Sequence, residues 1–543
     1  MPGPDEVAGA AGVRSDIATP EAMASCTTKG ESTGTALAEF LPVRWLMDGR
    51  RSPLGHLPRS ALPTSGGPSV GRCFIRYVTG DAVTLSRRDF LNRFALGAGV
   101  LLVGSSEVLL TAPNAAAAPA PPASGYGPLV PDPAGRLALP EGFGYTILSE
   151  AGVTRLESGE FSPDNGDGTG AFRGRAGGSV LVQNHELRDP FGEAHLPVPH
   201  LDGLTYDPGA AGGCVVIEAN RDGRRIREHV SLAGTSTNCA GGITPWGTWL
   251  SCEETEDLAG QRGATKDHGY VFEIDPFDPR ANRDPQPIKA LGRYAHEAVA
   301  VDPRTGDMYL TEDAARPNGL LYRWEAPAGF QRRRGVLRAL GATEGVLAAM
   351  SCTDGSGAHV DDLSRATEVG RTYAVRWVSV PERDARTSST RAQFADSDIT
   401  RARKLEGSWW GDGGVYVVTS FAREESPVPH DGQVWFYDPR RRTLTLTLRF
   451  GVNPNPDAGG GFDGPDNITV SPWGGMILAE DGDGVQHLIG VTEGGTAFPM
   501  ARNEVNQNEF AGPVYSHDHR ILFVNLYQPG ITYAITGPWR PQR

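Results

Sequence analysis

The sequence predicts an all-β protein, and more specifically a β-propeller of about six blades. Glycine (70) and proline (42) together make up roughly a fifth of the 543 residues, which favours a chain of many turns. After residue 140 the chain contains short strand-like runs and no long amphipathic helix. These two observations indicate the all-β class, and an internal repeat indicates the propeller.

The repeated unit is a strand, a Pro/Gly or Asp turn, a second strand and then acidic residues. It is clearest in CAGGITPWGTWLSCEETED from Cys239, HEAVAVDPRTGDMYLTEDA from His296 and PDNITVSPWGGMILAEDG from Pro465. A weaker copy of the unit is FAGPVYSHDHRILFVNLYQPG from Phe510. Two further units are indicated by GGSVLVQNHE and GGVYVVTS, which makes six in all. About six units of ~50–60 residues are typical of propeller blades. A β-sandwich is the alternative, but it does not explain why equivalent positions repeat the same acidic chemistry.

An export signal and a linker precede the predicted propeller. TLSRRDFLNRFALGAGVLLVG places Arg87 and Arg88 before a weakly apolar run, and small residues follow at 115–118. Residues 84–118 therefore resemble a twin-arginine signal peptide. The apolar run is too short to span a bilayer, so we expect no stable membrane span. Residues 119–138 are a predicted Pro/Ala/Gly linker, and residues 139–543 are the predicted catalytic propeller.

Residues 1–83 are Gly/Ser/Pro-rich and precede the signal, which normally begins a chain. We expect this segment to be disordered or to lie upstream of the true start, with translation beginning near Val78 or Val83. N-terminal sequencing of the precursor tests the late start, which a peptide from LPVRWLMDGR would contradict. The signal implies the twin-arginine export machinery as a partner and a secreted or extracytoplasmic location.

Charge and cysteine usage exclude several classes of function. The formal net charge of −14 argues against nucleic-acid binding, which selects basic surfaces. Acidic residues usually serve only solubility, but a convergent set of them would bind hard cations. The six cysteines contain no CxxC pair or zinc spacing and are too few for a disulfide framework in a chain this long. Cys214 is expected to be a small buried hydrophobic residue.

The repeated acids are expected to converge, because the inner strands of a propeller line one channel and their ends meet at one mouth. Uncompensated carboxylates are costly to bury, so the repeat predicts bound cations. Carboxylate oxygens suit Ca²⁺, whereas a thiolate among them suits a transition metal such as iron. The predicted metal ligands are Glu186, Cys239, Glu253, Glu254, Glu297, Glu312, Asp313, Glu406, Glu480 and Asp481.

The same segments carry a family resemblance from about residue 139 to the C-terminus. In order, they are NCAGGITPWGTWLSCEET, RYAHEAVAVD, TEDA…GLLYRW, RKLEGSWW, PDNITVSPWGGMILAEDG and FVNLYQPGITYAITGPW. Together they resemble the PhoX family of secreted bacterial alkaline phosphatases. The resemblance implies a propeller that holds Fe³⁺ and Ca²⁺ at one end of its channel and hydrolyses phosphomonoesters outside the cytoplasm. It also implies that Cys239 is the thiolate ligand of iron, with the acids sharing the other iron and calcium positions.

The resemblance further implies a cationic side chain that holds the phosphate next to the E-G motif. ARKLEG offers both Arg403 and Lys404 as the predicted catalytic cation, and a lysine would be a point charge rather than a bidentate fork. Two other functions stay open. A calcium-dependent lactonase or phytase-like propeller hydrolase would have no evident use for Cys239, and a non-catalytic propeller would bind a partner through its top face. Trp409 and Trp410 fit either function and are expected to pack beside the site.

Overall fold

The computed structural model describes residues 125–188 and 195–542. The predicted upstream segment (1–83), the signal peptide (84–118) and residues 119–124 of the predicted linker lie outside the described residues, as do Cys26 and Cys73. The remaining linker residues, 125–138, contain the first strand and the start of the second. Within the described ranges, no helix has the length and apolarity needed to cross a membrane.

The described ranges contain 28 strands and seven short 3-10 helices. The strands are β1 Leu129–Val130, β2 Leu137–Pro140, β3 Gly144–Glu150, β4 Gly166–Arg173, β5 Ser179–His185, β6 Gly212–Ala219, β7 Arg225–Thr235, β8 Asn238–Ile243, β9 Trp249–Glu253, β10 Val271–Ile274, β11 His296–Val301, β12 Met308–Glu312, β13 Gly319–Glu325, β14 Val346–Thr353, β15 His359–Val360, β16 Thr372–Ser379, β17 Arg401–Ala402, β18 Leu405–Gly411, β19 Gly414–Ala422, β20 His430–Asp438, β21 Thr443–Gly451, β22 Pro465–Val470, β23 Met476–Glu480, β24 His487–Val491, β25 Ala497–Asn503, β26 Phe510–Tyr515, β27 Ile521–Leu526 and β28 Ile531–Thr536. The 3-10 helices are Arg175–Gly177, Pro279–Asn282, Lys289–Leu291, Leu337–Ala339, Leu363–Arg365, Thr390–Gln393 and Pro456–Ala458.

Six inner strands surround a central channel. Strand β4 contacts β8, and the contacts continue through β11, β18, β22 and β26 back to β4, so the ring is closed. The all-β propeller class is confirmed. The hydrogen-bonded sheets do not by themselves fix the number of blades at six, because the units that begin at β11 and β18 merge into one 11-stranded sheet.

The N-terminal strands complete the sheets that the C-terminal strands begin. β3 pairs with β28 from Gly144 to Glu150, and β1 and β2 extend the sheet of β22–β25 through the pairing of β2 with β25. β3 is therefore the outer edge strand of the sheet β26–β28, and β1 is the outer edge strand of the sheet β22–β25. These pairings also place the N-terminal and C-terminal parts of the described chain in the same sheets.

The second strand of several units is buried on both faces, because each sheet packs between two neighbouring sheets. Every residue of β9, β12, β23 and β27 is buried. The sequences of these strands are therefore mostly apolar, as in ILFVNL, and do not alternate regularly between apolar and polar residues. Trp249, Trp324 and Trp435 are the largest of the fully buried side chains and fill the space between sheets.

A buried charge cluster holds the loop that leads into β10. His268 lies between two carboxylates, with Nδ1 2.6 Å from Glu253 Oε1 and Nε2 3.1 Å from Asp207 Oδ2, and none of the three side chains is exposed. Glu253 also accepts hydrogen bonds from the backbone N–H groups of Gly269 and Tyr270. Burial opposes the imidazolium, but the two carboxylates raise the pKa of His268 to about 9.

We predict that this cluster makes the fold less stable at alkaline pH. The pKa of His268 in the folded protein lies above its ordinary value of ~6.5. The two ion pairs of His268 therefore stabilise the fold fully below about pH 6.5, and this stabilisation is lost as the pH rises through about 9. The loss should be at most roughly 3 kcal/mol. Thermal melts of the metal-free protein should show a steeper fall in Tm between pH 7 and pH 10 for the wild type than for His268→Gln. Parallel pH profiles for the two proteins would contradict the assignment.

Candidate metal centre

The inner strands share an irregularity at the end where the predicted site lies. In β8 the pairing with β9 passes from Asn238↔Glu253 directly to Gly241↔Ser251. Equivalent register shifts occur near the start of β4, β11, β18, β22 and β26. A β-bulge releases residues from the ladder and redirects a side chain. In five of these six strands the bulge carries an acid or a thiol: Asp167, Cys239, Glu297, Glu406 and Asp466.

A second set of acids lies one residue beyond the neighbouring strands. Glu186, Glu254, Asp313 and Asp481 directly follow the last residues of β5, β9, β12 and β23. The bulge residues are buried, whereas these four are half-buried. The candidate site therefore has a buried floor, formed by the inner strands, and a more exposed rim.

Eight of these side chains, all except Asp313, form one continuous cluster with Glu509, which lies just before β26. This cluster is here called the acid row. Four triplets have ligand atoms within 4.8 Å of one another, and successive triplets share Cys239, Glu297 or Asp466. The triplets are Asp167–Glu186–Cys239, Cys239–Glu254–Glu297, Glu297–Glu406–Asp466 and Asp466–Asp481–Glu509. Eight carboxylates and one thiol thus converge where the inner strands begin.

Glycines that follow two of the ligand candidates allow the inner strands to approach one another. A Cβ on Gly168 would lie 2.5 Å from the carbonyl oxygen of Ala240, and one on Gly407 would lie 2.8 Å from that of Asp466. Any side chain at these positions would push the neighbouring strands apart. The D-G and E-G sequences are therefore what brings Asp167 to Cys239 and Glu406 to Asp466.

The electrostatics of the acid row favour the binding of cations. Glu297 is completely buried, and neither of its carboxylate oxygens has a hydrogen-bond partner among the described residues. Burial, followed by the charge of Asp466 and Glu254, raises the pKa of Glu297 well above its usual range. Burial and nearby Asp167 likewise raise the pKa of the Cys239 thiol. Cys239 Sγ lies 3.5 Å from Asp167 Oδ2.

Burial followed by neighbouring carboxylates also raises the pKa values of Asp167, Glu254, Asp466 and Glu509 well above the usual range. Buried like charges of this kind are strongly destabilising unless protons or cations neutralise them. The donor set of carboxylates with one thiol suits hard cations together with one softer metal.

Three of the four predicted ligands outside the acid row point away from it. Glu253, Glu312 and Glu480 are the last residues of their strands, and alternation turns each away from the residue that follows. Glu253 binds His268 as described above. Glu312 accepts from Arg391 Nη1 at 2.9 Å and from the Tyr322 hydroxyl at 2.8 Å. Glu480 accepts from the backbone N–H groups of Asp463 and His487, both at 2.6 Å. Glu253–Glu254, Glu312–Asp313 and Glu480–Asp481 are thus pairs with divided roles. The first acid accepts hydrogen bonds from neighbouring loops and strands, and the second faces the mouth of the channel.

The other predicted ligands lie at the mouth. Glu186, Cys239, Glu254, Glu297, Glu406 and Asp481 belong to the acid row. Asp313 lies beside it, outside the four triplets: burial and then Glu406 raise its pKa to about 7, and Lys404 opposes the shift.

Three members of the acid row were not predicted, namely Asp167, Asp466 and Glu509. Asp466 lies in the bulge of β22, where the repeat gives no sign of which residue leaves the ladder. Asp167 stands in a Gly-Asp-Gly turn sequence, and Glu509 precedes a strand whose bulge holds Gly512. The GDG and GPDN sequences are the only local signals that could have indicated the first two.

The two predicted catalytic cations have different partners. Lys404 Nζ lies 3.1 Å from Glu406 Oε1 and 3.9 Å from Asp481 Oδ2, so its ammonium group faces the acid row. The charge of Glu406 raises the pKa of Lys404, although burial opposes the shift. Arg403 pairs instead with Glu425, with Nε 2.8 Å from Oε1. Lys404 has a left-handed backbone (φ 45°), which is uncommon for a residue with a side chain and is often found at functional sites.

Comparisons with known proteins bear on the family and the fold. The family model described as alkaline phosphatase PhoX matches residues 124–530. The fold is similar to that of Pseudomonas fluorescens PhoX in complex with vanadate, a transition-state analogue, at 18% identity and a TM-score of 0.55, covering 76% of this chain and 97% of that one. XC5397 from Xanthomonas campestris, a gluconolactonase, is a weaker match at 12% identity and a TM-score of 0.34, covering 76% and 98%.

No curated protein matches the chain by sequence. The family match nevertheless covers almost all of the described propeller, including every residue of the acid row. The order of motifs along the chain and the propeller fold both agree with it. The chain therefore belongs to the PhoX family of alkaline phosphatases.

Proposed function

We propose that this alkaline phosphatase is a secreted phosphomonoesterase whose acid row holds iron and calcium. The observation that carries the proposal is Glu297, a completely buried carboxylate between Cys239 on one side and Glu406 and Asp466 on the other. Neither of its oxygens has a hydrogen-bond partner among the described residues. Within the same ranges no cation forms an ion pair with Glu297, since Lys404 pairs with Glu406 and Asp481, and Arg188 acts on Glu186 and Glu254. Bound cations would compensate the charge of Glu297.

The residues fit the two metals differently along the row. Cys239 belongs to two adjacent triplets, so iron bound there would take the thiolate together with Asp167, Glu186, Glu254 or Glu297. The remaining triplets, Glu297–Glu406–Asp466 and Asp466–Asp481–Glu509, contain only carboxylates, which is the donor set that Ca²⁺ prefers. When bound, such cations would supply the charge neutralisation and Lewis acidity that phosphoryl transfer needs.

The chain's own contribution to substrate binding would come from Lys404. The Lys404 side chain is 25% exposed. Its ammonium group lies at the mouth, where Glu406 and Asp481 fix its position. A phosphate oxygen is the natural partner of this point charge once the carboxylates are neutralised. The left-handed backbone at Lys404 is stabilised by the hydrogen bond that its carbonyl accepts from the N–H of Ser420 at 3.0 Å.

The thiol distinguishes this proposal from a lactonase or phytase-like hydrolase that needs calcium alone. Cys239 is buried within 4.8 Å of four carboxylates, and a thiolate there is a donor that suits a transition metal and not calcium. Export by the twin-arginine route would allow the folded protein to receive its metals before it crosses the membrane. The signal that motivates this route lies in residues 84–118.

We predict that Cys239→Ala abolishes iron binding and most hydrolysis of p-nitrophenyl phosphate at alkaline pH. Cys214→Ala is the matched control, because Cys214 is also a fully buried cysteine near the channel but contacts Asn184 and Ser251 instead of acids. Metal analysis of protein from the native host, together with the ester assay, measures both effects. Normal iron content in Cys239→Ala would refute the ligand assignment. Hydrolysis of a lactone but of no phosphomonoester by metal-replete wild type would refute the proposed function.

The paired acids Glu253 and Glu254 should respond in opposite ways to neutralisation. Glu254→Gln removes a like charge from the row, so we expect it to raise the Tm of the chelated protein and to weaken metal binding. Glu253→Gln weakens the acceptor of four hydrogen bonds, so we expect a loss of about 1–3 kcal/mol with or without metal. Melting curves in chelator and in excess metal test this contrast. Equal responses of the two variants would contradict the division of roles.

Lys404 and Arg403 provide a test of the phosphate clamp. Lys404→Ala should lower kcat/KM by about 100-fold, because a preorganised charge at the reacting phosphate is lost, while metal content stays normal. Arg403→Ala should change it by less than about threefold, because Arg403 is held by Glu425. Steady-state kinetics with metal analysis decide the case. A larger loss in Arg403→Ala would identify Arg403 as the clamp.

A further inference from the structure

A second cleft lies on the face opposite the acid row. Its volume is about 450 Å³, which is within the range of small-molecule sites. It is lined by the turns that follow β6 and β22, the turn before β27 and the segment after β28. Because β22 starts in the acid row and runs away from it, and β27 runs towards it, these turns lie at the far end of the sheets.

Two tryptophans form rigid walls of this cleft. The indole N–H of Trp473 donates to the carbonyl oxygen of His519 (3.3 Å), and that of Trp539 donates to the carbonyl oxygen of Arg520 (2.8 Å). Both rings are therefore fixed to the same turn. Trp539 also packs edge-on against Tyr126, Phe143 and Tyr515. Since the indole N–H groups are already used, these rings can offer a ligand only apolar contact.

The C-terminal segment fixes the shape of the cleft. The N–H of Gln542 donates to the carbonyl oxygen of Trp473 at 2.7 Å, and the Tyr126 hydroxyl donates to that of Arg540 at 3.1 Å. Residues 537–542 thus join the far ends of two neighbouring sheets. A cleft held this firmly loses little conformational entropy when it binds a ligand.

Two arginines supply the charge. Arg221 and Arg520 both line the cleft, both are exposed, and neither guanidinium forms an ion pair with a described residue. Asp222 is the one acidic residue in the lining. The lining thus holds two cationic side chains and one acidic side chain, in a chain whose net charge is −14.

We propose that this cleft binds an acidic saccharide. A pyranose ring has an apolar C–H face that can lie against an indole, and its carboxylate can accept two parallel hydrogen bonds from a guanidinium fork. A neutral sugar would leave both arginines unused, and a small inorganic anion would leave both tryptophans uncovered. The ring and the charge together match the two features of the cleft. The site is separate from the metal centre, so the inference does not depend on the proposed catalytic mechanism.

Calorimetry of the metal-replete protein with trigalacturonate, at low ionic strength, tests the proposal. We expect saturable binding that Arg221→Ala/Arg520→Ala and Trp473→Ala each weaken by at least about tenfold, and that maltotriose does not reproduce. Arg280→Ala/Arg440→Ala is the charge-matched control, because both arginines are exposed and lie outside the cleft. Phosphatase activity should be unchanged in all three variants, which shows that they fold. Absence of binding, equal binding of maltotriose, or equal loss in the control double variant would each overturn the proposal.

Discussion

The constraint that organises this protein is the burial of many like charges at one point. Eight carboxylates and a thiol lie in consecutive triplets at the beginning of the inner strands, and Glu297 in their middle has no hydrogen-bond partner for either oxygen within the described part of the chain. Such an arrangement opposes folding unless protons or cations neutralise it. The fold must therefore be strong enough elsewhere to keep these groups together, and the closed ring of inner strands does this.

Three local devices place the charges. Bulges near the start of the inner strands turn Asp167, Cys239 and their equivalents out of the ladder. Glycines directly after two of the candidate ligands, Asp167 and Glu406, let adjacent strands approach closely. The first acid of each E-E or E-D pair uses its charge to hold a neighbouring loop, as Glu253 does through His268. Each device is local, but together they position side chains from six different segments within one site.

The sequence predicted the propeller and six of the nine side chains of the acid row, because the repeat is carried by the strands and turns themselves. The membership of the row was only partly predictable, because a bulge shifts the alternation by one residue without any change in the apolar pattern. Asp466 was missed for this reason. Glu253, Glu312 and Glu480 were included because an acid pair at the end of a strand does not reveal which member faces the channel. The orientation of Lys404 depends on a left-handed backbone that the sequence RKLEG does not indicate.

The most direct test of the central claim is anomalous X-ray scattering from crystals of protein purified from its native host. Data collected above and below the iron absorption edge would locate iron separately from calcium. The account predicts an iron peak within bonding distance of Cys239 Sγ, and further peaks without an iron edge among Glu297, Glu406, Asp466 and Asp481. An acid row without anomalous peaks, or iron bound away from Cys239, would contradict it.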